Sequence, residues 1–208
     1  MNANSSPFRG PGGVVHNFNA GPSILPKEVF EQASKAVLNY NDSGLSILEI
    51  GHRTTVFQEV MDEARALVKE LMLLDDDHEV LFLHGGASTQ FMQVPMNLLD
   101  EKDTAAFTDT GVWSSKAIKE AKLFGKVEVV CSSKEDNFSF IPKDFAVPND
   151  AKCLHITTNN TIYGTQWQKI PKTSNPLVAE MSSDILSRVF DFNAFSLIHA
   201  GAQKNMGP

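Results

Sequence analysis

The sequence predicts an α/β fold with a mainly parallel β-sheet covered on both faces. Three observations predict it. Short, continuously apolar runs such as Val80-Leu81-Phe82-Leu83 recur along the chain, as expected of strands buried on both sides. Between them lie segments whose apolar residues repeat at helical spacing. The run at 80–83 also breaks at Gly85-Gly86 into a further helical stretch, the strand–turn–helix order of parallel α/β units.

Residues 1–16, with their Ser, Pro and Gly content, read as a flexible lead-in to one domain spanning 17–208. Asn19-Ala20-Gly21-Pro22-Ser23 is a turn cluster, and a helix is predicted from about Pro26 to Asn39 with proline at its start. A second helix is marked by Thr55 and Gln58, a T-x-x-Q capping box, and by Val56, Val60, Ala64, Leu67, Val68 and Leu71. Val80–Leu83 is predicted as a strand, followed by a helix to about Leu99. Ala105–Phe107 reads as a strand, Ser114–Phe124 as a helix and Val127–Cys131 as a strand. Later strands are predicted at Cys153–Ile156, Leu177–Met181 and Phe195–His199, with Pro142–Asp150 a connecting loop.

The chain carries 18 basic against 25 acidic residues, a formal charge of −7, and no Lys/Arg cluster. That argues against nucleic acid or an anionic membrane as the main partner. Two cysteines without CxxC spacing argue against a disulfide framework or a thiolate zinc site. No apolar run approaches the ~18 residues needed to cross a bilayer, and the N-terminus lacks a hydrophobic signal core. The expected compartment is the cytoplasm.

Four constellations carry chemistry. In Leu83-His84-Gly85-Gly86-Ala87-Ser88-Thr89 a strand turns through two glycines into a helix, whose first N–H groups form a phosphate seat. A plain strand–turn–helix junction is the alternative. Trp113 and Thr161 both follow predicted strands, where open α/β sheets bind ligands. A tryptophan there can stack on a flat ring and a threonine can bond a ring substituent; a core tryptophan and a loop threonine are the plain alternatives. Glu180 interrupts an apolar strand at its carboxyl end, and a carboxylate there needs a cation or good hydrogen bonds. A protonated heterocyclic nitrogen would serve, and so would Arg188. Lys204 lies in Gly201-Ala202-Gln203-Lys204-Asn205-Met206-Gly207-Pro208, a frame of mostly small residues that can hold its amine close to a ligand, although most loop lysines are simply solvated. Phosphate seat, aromatic stacker, strand-end carboxylate and loop lysine, in that order, are what pyridoxal 5′-phosphate (PLP) requires.

With these residues in view, the chain from Asn17-Phe18-Asn19-Ala20-Gly21-Pro22-Ser23 onward resembles the phosphoserine aminotransferases, fold-type I PLP enzymes of the class-V aminotransferase group. Gly51-His52-Arg53, Gly85-Gly86-Ala87-Ser88, Thr110-Gly111-Val112-Trp113-Ser114, Asn159-Asn160-Thr161-Ile162-Tyr163-Gly164, Met181-Ser182-Ser183-Asp184 and Gly201-Ala202-Gln203-Lys204-Asn205 match in order. The resemblance implies the three-layer α/β/α large domain of that group. It implies that Lys204 is the lysine joined to the cofactor's aldehyde, with Gln203 beside the phosphate and Ala87 and Ser88 in the phosphate seat. Trp113 would stack on the ring, Thr161 would bond its hydroxyl and Glu180 would face its nitrogen. His52 and Arg53 would hold the acidic end of the substrate.

The implied activity moves an amino group between L-glutamate and 3-phosphohydroxypyruvate, giving O-phospho-L-serine and 2-oxoglutarate in serine biosynthesis, in a homodimer. Two departures from the family stand out. Glu180 occupies a position where the family usually has Asp, and the family runs well past the lysine. The sequence is accordingly expected to be an N-terminal portion without its small domain, inactive alone. The alternatives are a silent fragment and another fold-type I reaction such as cysteine desulfuration, which needs a nucleophilic Cys131 or Cys153.

Overall fold

The computed structural model describes residues 16–207. Except for His16, the lead-in expected over 1–16 lies outside the described residues. Two helices open the chain, α1 (Lys27–Leu38) and α2 (Thr55–Met72). Pro26 stands just before α1, where its fixed φ and missing N–H cost nothing. The cap of α2 is Thr54 rather than the expected Thr55. Its hydroxyl accepts from the Phe57 N–H at 3.3 Å, so the cap stands one residue earlier than the T-x-x-Q pattern implied.

There follow α3 (Gly86–Leu98), β1 (Thr104–Asp109), α4 (Val112–Ala121), β2 (Lys126–Ser132) and β3 (Leu154–Thr157). A two-residue hairpin, β4 (Asn159–Asn160) and β5 (Thr165–Gln166), precedes β6 (Leu177–Glu180) and β7 (Leu197–His199). Five strands form one sheet in the order β2-β1-β3-β6-β7, and every pairing is parallel.

Alternate residues face opposite sides of the sheet. Phe107, Cys153 and Val178 face α3 and α4, packing on Phe91, Val94, Ala117 and Ile118. Ala106, Leu154, Ile156 and Ala179 face the other way, onto Trp167, Met181, Ile185, Phe192, Phe195 and the end of α2 at Met72. The first face is covered by helices. The second is covered by the end of α2 and by loop and 3-10 segments. Polar bonds fasten the chain after α2 to this side: Asn193 Nδ2 donates to the Leu73 carbonyl at 2.9 Å, and His78 Nε2 lies 2.9 Å from the Phe195 carbonyl.

The expected strand at Val80–Leu83 is a correction. These residues run without strand pairing among the described residues, and Leu81 and Leu83 are 72% and 60% exposed. Apolar composition supplies strand propensity, but a strand exists only against a partner, and neither sheet edge, β2 or β7, pairs with this segment. Cys153, expected within a strand, lies one residue before β3 and is buried.

Candidate functional site at the carboxyl edge of the sheet

Parallel strands bring their carboxyl ends to one edge, and the chemistry-bearing residues collect there. At the end of β1, Asp109 accepts from Ser115 Oγ at 2.6 Å, while Ser114 Oγ accepts from the Thr110 and Gly111 N–H groups at 2.9 Å each. These bonds fix the start of α4 and with it Trp113, which is half-buried against the α3–α4 core. The Lys116 ammonium stands 4.4 Å from the centre of the Trp113 ring.

After β3, Thr158 turns the chain into the β4–β5 hairpin. Its hydroxyl donates to the Glu180 carbonyl at 3.1 Å and to Asp184 Oδ1 at 2.5 Å. Asn160 closes the hairpin by accepting at its carbonyl from Gly164 N at 2.8 Å, and Thr161 sits at the turn. Lys204 Nζ donates to Thr161 Oγ1 at 3.2 Å. The turn after β3 and the segment after β7 thus meet through two of the predicted site residues.

Glu180 ends β6 and is 3% exposed. Burial raises its pKa above the ordinary carboxylate value, against the lowering effect of the Ser182 N–H, which donates to Glu180 Oε1 at 2.8 Å, and of the Lys204 charge. Among the described residues no salt bridge reaches Glu180. Arg188, the alternative partner, stands 3.9 Å from Asp184 and donates to the Trp167 carbonyl instead. A buried carboxylate without a bonded cation fits a ligand that brings one, such as a protonated ring nitrogen.

The start of α3 completes the edge. Gly85 precedes the helix with φ +97°, a conformation that favours glycine, and Thr89 Oγ1 donates back to its carbonyl at 2.7 Å. No side chain caps α3, so the first-turn N–H groups, including those of Ala87 and Ser88, have no side-chain acceptor there. Gly201 packs beside Ala87, which brings the lysine segment to this helix start: a Cβ on Gly201 would lie 3.8 Å from Ala87 Cβ.

The N-terminal turn cluster also reaches Lys204. A Cβ on Gly21 would stand 2.8 Å from Lys204 Cε, so a side chain there would push the lysine's end aside. Ser23 N donates to the Gln203 carbonyl at 3.2 Å, while the Gln203 side chain is exposed. His52 and Arg53 lie on the exposed turn before α2, with no hydrogen bond or ion pair to the other site residues among those described. Gly21 and Ser182 carried no assigned role in the sequence. A turn glycine far from the lysine gives no sign of its contact, and the hydroxyl pair that begins two residues after the strand-end carboxylate gives no sign that it reaches Gly201.

Both thiols are poor nucleophiles here. Burial pushes Cys131 and Cys153 up to about 11, with the Asp109 charge adding to the rise at Cys131.

A family model described as aminotransferase class V matches residues 15–208. The phosphoserine aminotransferase of Flavobacterium johnsoniae is 60% identical over 194 residues, covering 93% of this chain and 54% of that protein. The solved phosphoserine aminotransferase of Bacillus circulans subsp. alkalophilus superposes with a TM-score of 0.89 at 48% identity, over 92% of this chain and 54% of that one. A PLP-bound phosphoserine aminotransferase from Trichomonas vaginalis gives 0.83 at 32% identity, covering 92% and 55%. The chain spans about half the length of the curated relatives it matches.

Proposed function

This chain belongs to the class-V aminotransferase family, and on that premise we propose that it works in the PLP-dependent transfer of an amino group from L-glutamate to 3-phosphohydroxypyruvate, giving O-phospho-L-serine and 2-oxoglutarate. The observation that carries the reading is the buried Glu180 carboxylate, unpaired by any bonded cation among the described residues and close enough to Lys204 to feel its charge.

When bound, PLP supplies the electron sink for the charge left as the substrate's Cα loses its proton. The chain's own residues divide the remaining work. The open N–H groups at the start of α3, at Ala87 and Ser88, receive the phosphate at the positive end of the helix, with Gln203 beside them. Trp113 would flank the ring, and Thr161, whose hydroxyl accepts from Lys204, would bond the ring hydroxyl. The Glu180 carboxylate favours the protonated ring nitrogen, with a side chain one methylene longer than aspartate. The amine of Lys204 would take the Cα proton as general base and, as general acid, give it to the cofactor's C4′ carbon. Arg53, with His52 beside it on the exposed turn, holds the acidic end of the substrate, since a guanidinium grips carboxylate or phosphate through two parallel bonds.

A second copy of the chain is the proposed partner and the cytoplasm the proposed compartment. Both rest on the resemblance to the family. Among the described residues, no helix is long and apolar enough to cross a membrane.

The test is to incubate the protein with PLP, reduce with borohydride and map the modified peptide by mass spectrometry. Cofactor carbon fixed on Lys204, its loss in Lys204→Ala, and glutamate-dependent formation of phosphoserine by the protein that contains this chain are the expected results. Undiminished transamination by Lys204→Ala would defeat the assignment.

A further inference from the structure

Between β6 and β7 the parallel ladder stops in an unusual way. Its last backbone bond runs from Met181 N to the His199 carbonyl at 2.9 Å. Beyond it the strands part, and the next two donors leave the ladder. Ser182 N turns back to the Glu180 carboxylate at 2.8 Å, and Gly201 N donates to Ser182 Oγ at 2.7 Å. One residue therefore stands in for the missing rung: its main chain holds the carboxylate, and its side chain holds the segment that leads in three residues to Lys204.

We infer that Ser182 is a positioning residue for the proposed reaction, setting the Glu180 carboxylate and the Lys204 amine in one frame. The inference rests on the PLP reading above. It follows from what each bond leaves without a substitute. Gly201 N has Ser182 Oγ as its acceptor, and the other atoms nearest to a Cβ placed on Gly201 are those of Ala87 at the start of α3. Without the hydroxyl, a half-buried N–H loses its partner on the side of the segment that faces Glu180, and the lysine segment keeps its bonds to Ser23, to Thr161 and, through Asn205 Nδ2, to the Ile185 carbonyl. The neighbouring residues of the same turn hold other parts of the edge. Ser183 Oγ donates to the Asn159 carbonyl at 3.0 Å, and Asp184 accepts from Thr158. Ser182 alone of the three is bonded to both Glu180 and the chain before Lys204.

The test compares Ser182→Ala, Ser182→Thr and a control, Asn175→Ala. Asn175 Nδ2 donates to the Pro148 and Ala151 carbonyls at the opposite, amino end of the sheet, so its loss weakens the fold without touching the site. Three quantities are read on purified protein: the PLP dissociation constant by fluorescence quenching, the fraction of chains fixed on Lys204 by borohydride, and the thermal midpoint. Ser182→Ala should weaken PLP binding about tenfold, the equivalent of one hydrogen bond of ordinary net strength, and lower the fixed fraction at sub-saturating PLP. Ser182→Thr, which keeps the hydroxyl, should recover most of both. Asn175→Ala should lower the midpoint and leave PLP affinity unchanged. Wild-type affinity and fixation in Ser182→Ala would overturn the inference while leaving the cofactor reading standing. So would a loss of PLP in Asn175→Ala matching that in Ser182→Ala at equal midpoints. A wild-type protein that takes up no PLP on Lys204 would overturn the cofactor reading and this inference with it.

Discussion

The chain before α3 and the chain after it use apolar residues in opposite ways. In β3 and β6 every residue is buried, and Leu154, Ile156 and Ala179 have no measurable exposure. In α1 no residue is buried and in α2 only Met72 is, although both helices are amphipathic and Phe30, Leu38, Leu67 and Leu71 lie exposed along them. The same periodic signal gave a real helix in both regions. Periodicity specifies an element and the face it would bury, while burial itself needs another element within reach.

The largest test of that contrast is in the sheet. Ile156→Ala should cost about 2–5 kcal/mol, because the site is enclosed by Trp167, Met181 and Phe195 and has little freedom to collapse. Urea denaturation of the variant measures it. A cost under about 1 kcal/mol would mean that the sheet interior is as loosely held as the helices before it.

What was legible in the sequence follows the same division. Runs such as Leu154-His155-Ile156-Thr157 and Leu177-Val178-Ala179-Glu180 could be placed within a residue or two, because a strand buried on both faces is written in consecutive residues. Val80–Leu83 carries the same signature and is not a strand, since composition does not say whether a partner lies alongside. The site shows a similar limit. Lys204, Thr161, Glu180, Ala87 and Ser88 were recognisable by type and order, and the structure brings them to one edge. The contacts that set their geometry were not recognisable: Gly21 beside Lys204, and Ser182 between Glu180 and Gly201, join segments far apart in sequence. His52 and Arg53 remain on an exposed turn, where their part in substrate binding rests on the proposal.

Histidines separate the two regions by the sign of their pH dependence. His155 and His199 face each other inside the sheet layer, Nε2 to Nε2 at 3.2 Å, against Phe107 and Phe91. One imidazole must donate to the other, so the two are not both charged, and burial disfavours charge on either. Burial lowers His199 to about 4; burial and the neighbouring imidazole hold His155 well below its ordinary value. The unfolded chain therefore binds more protons below pH ~6.5, and stability falls as pH drops from there toward 4, by up to about 1.4 kcal/mol per unit for each histidine.

His78, on the segment after α2, behaves oppositely. Its bonds to the Phe195 carbonyl and to Asp75 raise its pKa, so its contribution is full below ~6.5 and is lost as pH rises through the raised value. The raised carboxyls of Glu180 and Asp184 oppose the buried pair in the acid range, since their contribution is lost as pH rises. His199→Phe isolates the pair. Urea midpoints at pH 7, 6 and 5 should fall less steeply for the variant than for the wild type. Equal slopes would remove the histidine pair as the origin of acid sensitivity.

The smallest expected effect lies in α2, where the contrast narrows to adjacent residues. Met72 is 4% exposed and belongs to the core under the sheet, whereas Leu71, one position earlier, is 63% exposed. A helix turns by about 100° per residue, so neighbouring side chains point in clearly different directions. Truncating Leu71 removes area that is mostly hydrated already, and alanine is the better helix former. Leu71→Ala should therefore stay within about 0.5 kcal/mol of the wild type in urea. It should also reduce any self-association, because it trims an exposed apolar face. A loss near 2 kcal/mol would place Leu71 in a packed environment and erase the distinction between the helices and the sheet.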